Sequence, residues 1–251
     1  MIARSHTKNA HISRTQRAAS LACLLEVTAR CPSIRPATLL EIVGFCMGAK
    51  PTLRLTLNDY DADRFRVACT ASGIPIAERR VYLVPHGGTW TQIVQHETER
   101  SSMLVTVATT LSSARQLLRM ELDDAEGAGR LLGYPPCCLA AFPRLVEAGP
   151  QWPFLLLKTA ASPTSHVNMR CNRFAADWGG TGLIGELFPC SLQCAAAAAY
   201  ADRLLLAAQK AGLLRLCQRV ESDSLTPVEI LVDGTITAHC EGFGQRVEFA
   251  A

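Results

Sequence analysis

Apolar positions follow two rhythms in the first half of the chain. Between Ala37 and Met47, the residues Leu39, Leu40, Ile42, Val43 and Phe45 to Met47 form a dense block that predicts a short buried helix. Leu53, Leu55 and Leu57 then alternate with Arg54 and Thr56, the period of a half-buried strand. Asp61 or Asp63 is placed to cap a helix running through Phe65, Ala68 and Cys69 to a stop at Gly73. Val81 to Val84 predicts a strand, ended by Pro85 and the His-Gly-Gly turn at 86–88. Met103 to Ala108 predicts another, after which Thr109 and Thr110 lead into a helix through Ala114, Leu117 and Leu118. This alternation of helices and strands implies a small open sheet with helices against it.

The second half reads as helical. Periodic segments cover Glu126 to Leu132, Cys137 to Val146, and Cys194 to Leu216, the last announced by five consecutive alanines, the strongest helix former. Val228 to Val232 and Thr235 to Ala238 flank Asp233-Gly234, a type I′ hairpin signal. The expected fold is therefore mixed α/β. It has a small N-terminal α/β sheet layer, a helical cysteine-bearing C-terminal part and a terminal β-hairpin. The expected divisions are a mobile basic tail over 1–20, an α/β domain over 21–122, and a helical cysteine-motif domain with its hairpin over 123–251. A core shared by the last two is compatible with this division.

Composition narrows the class. The chain has 251 residues, 49% hydrophobic and 19% charged, enough apolar content for a substantial core and too little charge for wholesale disorder. A net charge of +3 from 25 basic and 22 acidic residues leaves no polyanion-binding stripe, so nucleic acid is not indicated. Apolar runs are broken by charge well before the roughly 18 residues that a membrane span needs. Arg4, Lys8, Arg14 and Arg17 precede the first acid, Glu26. That pattern suits a transit segment as well as a basic tail, and the tail is the simpler reading. Leu21 to Leu25 is too short for a secretory apolar region. A cytoplasmic protein without a membrane anchor is expected.

Cysteine changes the picture, because the chain has 11 of them. The count is odd, and it is low for a disulfide scaffold in a chain of this length, which favours a reducing compartment with some cysteines on a metal. Two pairs share a context. Gly133-Tyr134-Pro135-Pro136-Cys137-Cys138 opens one predicted helix, and Phe188-Pro189-Cys190-Ser191-Leu192-Gln193-Cys194 opens the alanine helix. Proline suits a first helical turn, and unpaired N–H groups with the helix dipole favour thiolates there. Two such starts facing each other make a four-thiolate site of Cys137, Cys138, Cys190 and Cys194. Neither spacing matches a common zinc finger or a ferredoxin run. Side chains of adjacent cysteines are expected to diverge, which argues for a cluster over a single zinc.

For Cys23, Cys31, Cys46, Cys69, Cys217 and Cys240, scattered in apolar segments, burial as small hydrophobes is the simpler reading. Between the pairs lies a polar loop over 165–172. There Cys171 or His166 is an alternative ligand, and Asn168, Arg170 and Asn172 are candidate contacts for a small polar substrate. Taken singly, each of these is more simply a surface or turn residue. Arg130 and Tyr134 stand where they could balance the charge of a cluster. The phosphate-cradling loop, nucleophile elbow and zincin frame are all absent from the sequence.

The run Leu131-Leu132-Gly133-Tyr134-Pro135-Pro136-Cys137-Cys138, then Ala141-Phe142, then Phe188-Pro189-Cys190-x3-Cys194, resembles an uncharacterised family of archaea and bacteria. That family is marked by an LGYPxCC…F motif followed by PCSxxC. The resemblance covers residues 126 to 205 and carries over the same four cysteines, without naming a reaction. A histidine before the family's second motif is replaced here by Glu186 and Leu187. Three readings follow. The first is a metalloenzyme holding an iron–sulfur cluster of 4Fe-4S type, doing redox or sulfur-transfer chemistry on a small-molecule or protein substrate. The second is a non-catalytic zinc-stabilised binding or maturation module, and the third a metal-free thiol or persulfide relay.

Overall fold

The computed structural model describes residues 11–86, 90–94, 97–148, 169–171, 186–224, 228–230, 236–239 and 246–249. The first helix, α1 (Arg14–Thr28), starts inside the segment expected to be a tail. Ser13 and Gln16 form a reciprocal capping box, each side chain bonding the other's backbone N–H. Arg17 is buried, donates to the Phe45 carbonyl at 2.9 Å and stacks over the Phe45 ring at 5.0 Å. These contacts to Phe45 bury a basic residue of the segment whose composition reads as a tail to residue 20.

The dense apolar block forms α2 (Pro36–Cys46), with Pro36 in the first turn and Leu40, Ile42, Val43, Phe45 and Cys46 without solvent contact. Strand β1 (Leu53–Leu57) buries Leu53, Leu55 and Leu57, as its alternation predicts. Helix α3 (Asp59–Ala71) is capped by Asn58, whose side chain accepts from the Asp61 N–H, rather than by Asp61 or Asp63. Asp61 instead reaches back, and its Oδ2 accepts from the Ser33 hydroxyl, the Ser33 N–H and the Asn58 amide.

Strand β2 (Ile76–His86) is longer than expected and runs through Pro85. Beyond Leu83, among the described residues, it pairs with β3 (Trp90–Val94), a strand the periodicity did not predict, and Pro85 has no partner in β4, so its missing N–H breaks no ladder there. Strand β4 (Ser101–Val107) lies between β1 and β2, giving the antiparallel order β1-β4-β2-β3. Register places Leu55 opposite Val105 and Leu53 opposite Val107. The next residues along, Arg54 opposite Thr106 and Thr56 opposite Leu104, take the other face. Helix α4 (Leu111–Asp123), capped by Thr110 as predicted, covers that second face, and Thr106 Oγ1 donates to the Ala114 carbonyl at 2.8 Å.

Helices α5 (Ala125–Leu131) and α6 (Pro136–Glu147) follow. The predicted single helix over 194–216 is two: α7 (Ala195–Lys210) and α8 (Leu214–Ser224). Gly212, at φ +77°, ends the first, because a left-handed residue terminates the ladder and the chain re-enters a helix two residues later. Near the C-terminus the hairpin strands β5 (Val228–Ile230) and β6 (Ile236–His239) pair as expected, and a further strand β7 (Arg246–Phe249) adds to β6. The predicted turn at Asp233-Gly234 lies outside the described residues. The fold is mixed helix and sheet, and among the described residues no helix is long and apolar enough to cross a membrane.

One core joins both halves. Leu40, Ile42 and Phe45 of α2 pack in the same cluster as Ala197, Ala201 and Leu204 of α7, together with Val105 and Val107 of the sheet. Ala197 and Ala198 of the alanine run and Ala201 just beyond it are buried, so small side chains bring α7 close to α2. Within this core, Lys50 Nζ bonds Glu41 Oε2 at 2.7 Å, with side-chain exposures of 0% and 3%. Tyr200 donates to the other Glu41 oxygen at 3.4 Å. The ammonium also lies 5.8 and 6.0 Å from the Tyr134 and Tyr200 ring centroids.

Two outcomes follow. Lys50→Met leaves the Glu41 carboxylate buried without its cation and should cost about 3–5 kcal/mol in a urea titration, and adding Glu41→Gln should return most of it. For Asp61, burial opposes the carboxylate, but the hydrogen bonds from Ser33 and Asn58 outweigh it and hold its pKa below the ordinary 3.8. That contribution is complete above the unfolded value and lost as pH falls through the lower folded one, so Asp61→Asn should flatten the acid limb of the stability–pH curve below about pH 4.

Candidate metal centre

The first cysteine pair is placed by a turn that only glycine makes easily. Gly133, at φ +80°, reverses the chain after α5 and aims Tyr134 into the core under Lys50. Pro135 and Pro136 then start α6, and Cys137 and Cys138 fall in its first turn, with the Cys138 N–H bonded to the Pro135 carbonyl at 3.0 Å. The second pair is set by Pro189 and a turn over Ser191, whose carbonyl accepts from the Cys194 N–H. Cys194 is itself the N-cap of α7, and its Sγ accepts from the Ala197 N–H at 3.4 Å. Phe142 and Phe188, with ring centroids 5.7 Å apart, and the edge-on Tyr134–Tyr200 pair at 5.6 Å hold the two helix starts together.

The result is four sulfurs in one place. Sγ atoms of Cys137, Cys138, Cys190 and Cys194 lie within 4.8 Å of one another, a group that can hold a metal ion. Cys137 to Cys138 is 3.9 Å, Cys137 to Cys194 is 3.6 Å, and Cys138 to Cys194 is 3.7 Å. The expected divergence of the adjacent pair does not occur, because both thiols of the first turn bend toward the Cys194 cap. Cys138 and Cys194 are buried, Cys190 is half-buried and Cys137 is exposed, so the group has one edge on solvent.

Protonation is uneven. Burial works against a Cys194 thiolate, but the Ala197 N–H and the neighbouring thiols of Cys190, Cys137 and Cys138 donate to it and keep its pKa below the usual thiol value. Burial, together with the adjacent Cys194, pushes Cys190 up to about 12 and Cys138 higher still. In the protein alone, Cys194 is thus the favoured anion, and its neighbours serve as donors.

Other expected residues are placed as follows. Cys171 is buried, donates to the Cys194 carbonyl at 3.3 Å and stays outside the four-sulfur group. Arg170 bonds Asp202 of α7 and Glu221 of α8, each at 2.9 Å. His166, Asn168 and Asn172 lie outside the described residues, as does Cys240. Arg130 pairs with Glu126 on the surface of α5 instead of facing the sulfurs. Cys31, Cys46, Cys69 and Cys217 are buried as expected, whereas Cys23 is exposed. Burial pushes Cys46 up to about 12.

Five charged residues, Glu41, Lys50, Arg54, Glu121 and Glu186, pair near the centre, and of these the sequence ties only Glu186 to a motif. Glu41 and Lys50 support it from below. Arg54 of β1 bonds Glu121 of α4 at 2.8 Å and Glu186 at 2.9 Å. The available signal was a charge inside an apolar run: Glu41 in Leu-Leu-Glu-Ile-Val and Arg54 in Leu-Arg-Leu. Comparison with protein families, curated proteins and solved structures returns no match for this chain. Fold and site together define a mixed helix–sheet protein with a four-cysteine candidate metal centre.

Gly133→Ala puts a side chain on a left-handed residue facing Pro51. It should cost about 1–2 kcal/mol and lower the metal content of purified protein, measured by urea titration and elemental analysis.

Proposed function

We propose that the protein holds a single metal ion on Cys137, Cys138, Cys190 and Cys194, in a closed four-thiolate site that clamps the start of α6 to the start of α7. The sulfur spacing supports this reading. Four thiolates about 2.3 Å from one zinc ion stand about 3.8 Å apart along the edges of a tetrahedron. Cys137, Cys138 and Cys194 stand 3.6, 3.7 and 3.9 Å apart and match three of the six edges, and Cys190 lies within 4.8 Å of all three. Thiolates on the separate irons of a four-iron cluster lie farther apart than the edges of such a tetrahedron. An all-sulfur set suits zinc, and its folding contribution comes from satisfying buried thiolates that the apo chain cannot all ionise. The motif resemblance, which carries the same four positions, accords with it.

A second reading, the iron–sulfur enzyme acting on a small polar substrate, has its own support. Cys138 lines a cavity of about 970 Å³. A catalytic centre would open on such a space, whereas a purely structural one need not.

Anaerobic purification with absorption, iron, sulfide and zinc analysis on one sample separates the readings. The expected result is about one zinc per chain, no visible band, and a fall in Tm of more than about 10 °C on chelation. Cys194→Ala should abolish binding. Matched iron and sulfide with a visible band would replace this reading with the cluster enzyme. Protein that stays metal-free after reconstitution with zinc and with iron and sulfide, with alkylation-sensitive thiols, would leave the thiol or persulfide relay.

A further inference from the structure

Of the four clustered sulfurs, Cys137 alone is exposed, while Cys138 and Cys194 are buried and Cys190 is half-buried. An oxidant in solution therefore meets this thiolate first, because thiolate character and access together set susceptibility. Across the gap between the two helix starts, Cys194 Sγ lies 3.6 Å from Cys137 Sγ, nearer than Cys138 Sγ at 3.9 Å. The Ala197 N–H donates to Cys194 Sγ at 3.4 Å, so the start of α7 supports negative charge on this second sulfur.

Geometry selects the pair. Adjacent residues have Cα atoms about 3.8 Å apart, short of the roughly 4.4–6.8 Å that a disulfide usually spans, so Cys137 and Cys138 are poorly placed to join. Cys138 and Cys194, at 3.7 Å, are both buried away from an oxidant. Cys171 donates to the Cys194 carbonyl at 3.3 Å, but it too is buried and stays outside the group. Cys137 with Cys194 combines access with contact.

We infer that Cys137 is a site of oxidation by hydrogen peroxide, and that Cys194 resolves it in a disulfide that expels the metal. This rests on the single-metal reading above. The Cys137 thiolate attacks the O–O bond, its sulfur is oxidised by two electrons to a sulfenic acid, and hydroxide leaves and is protonated to water. The Cys194 thiolate then attacks that sulfur, forming the S–S bond and expelling a second hydroxide, which is also protonated. In sum, two thiolates, one hydrogen peroxide and two protons give one disulfide and two waters. The remaining thiolates, Cys138 and Cys190, are too few for a structural zinc site, and the ion leaves. The new bond ties the start of α6 to the start of α7, so a covalent clamp takes the place of the metal one.

The test treats zinc-loaded full-length protein with equimolar hydrogen peroxide, following zinc release with a chromogenic chelator, counting free thiols, and locating disulfides by non-reducing tandem mass mapping. About one zinc and two thiols should be lost per peroxide consumed, with Cys137 joined to Cys194, and dithiothreitol with added zinc should reverse both losses. Oxidised metal-free protein should keep a higher Tm than chelated reduced protein. Cys137→Ser should slow the peroxide-dependent release at least about tenfold, whereas Cys23→Ser, which removes the other exposed cysteine among the described residues, should leave it unchanged. Should Cys137→Ser fail to hold zinc, the disulfide map of the unaltered chain decides the question. Zinc retained under peroxide, or a disulfide in any other pair, would overturn this inference and leave the single-metal reading standing. Protein that binds no zinc would overturn both.

Discussion

A lysine ammonium and a glutamate carboxylate taken out of water together gain little unless their remaining hydrogen-bonding positions are served. Around Lys50 and Glu41 those positions are served by the residues that frame the cysteines. Tyr200 of α7 donates to the free oxygen of Glu41, and the rings of Tyr134 and Tyr200 receive the ammonium. Tyr134 precedes the first cysteine pair, and Tyr200 follows the second by less than two turns of helix. Holding that pair dry therefore fixes where both helix starts can be. Helix α2 packs on the alanine face of α7 in the same core.

On that platform the four sulfurs crowd one another. Thiols packed at 3.6 to 3.9 Å cannot all ionise in a buried setting, and hydrogen bonds from the Ala197 N–H and the neighbouring thiols favour charge on Cys194, at the start of α7. A cation removes the conflict for every sulfur at once. This gives the centre a physical reason to bind metal that is separate from motif spacing, and it explains why an unusual Cys-Cys pair with a Cys-x3-Cys pair can work. Helix starts, not a finger-like loop, aim the sulfurs.

The other side of the sheet meets the centre through Cys138. Arg54 and Thr56 point away from the main core because strand side chains alternate, and α4 supplies Glu121 opposite them. The cavity between them is bounded by α5 and α6, so the segment that carries the first cysteine pair also forms part of its wall.

Much of the architecture was legible in the residues. The strand of Leu53, Leu55 and Leu57, the buried helix of α2, the caps of α4 and the cysteine-bearing helix starts all follow from local periodicity, propensity and the place of proline in a first turn. What misled was charge read as exposure: the basic residues before Glu26 suggested a tail, yet Arg17 is buried against Phe45, and Arg54 of the half-buried strand pairs with carboxylates far along the chain. The adjacent cysteines were expected to diverge because a dipeptide alone says nothing of the cap that draws them together. Sequence alone determined which segments are helix or strand and which cysteines sit at helix starts, since those depend on neighbours within a few residues. Only the tertiary structure decided that Glu41 meets Lys50, that Arg54 meets Glu121 and Glu186, and that four sulfurs converge, because desolvation is set by what closes over a group in space.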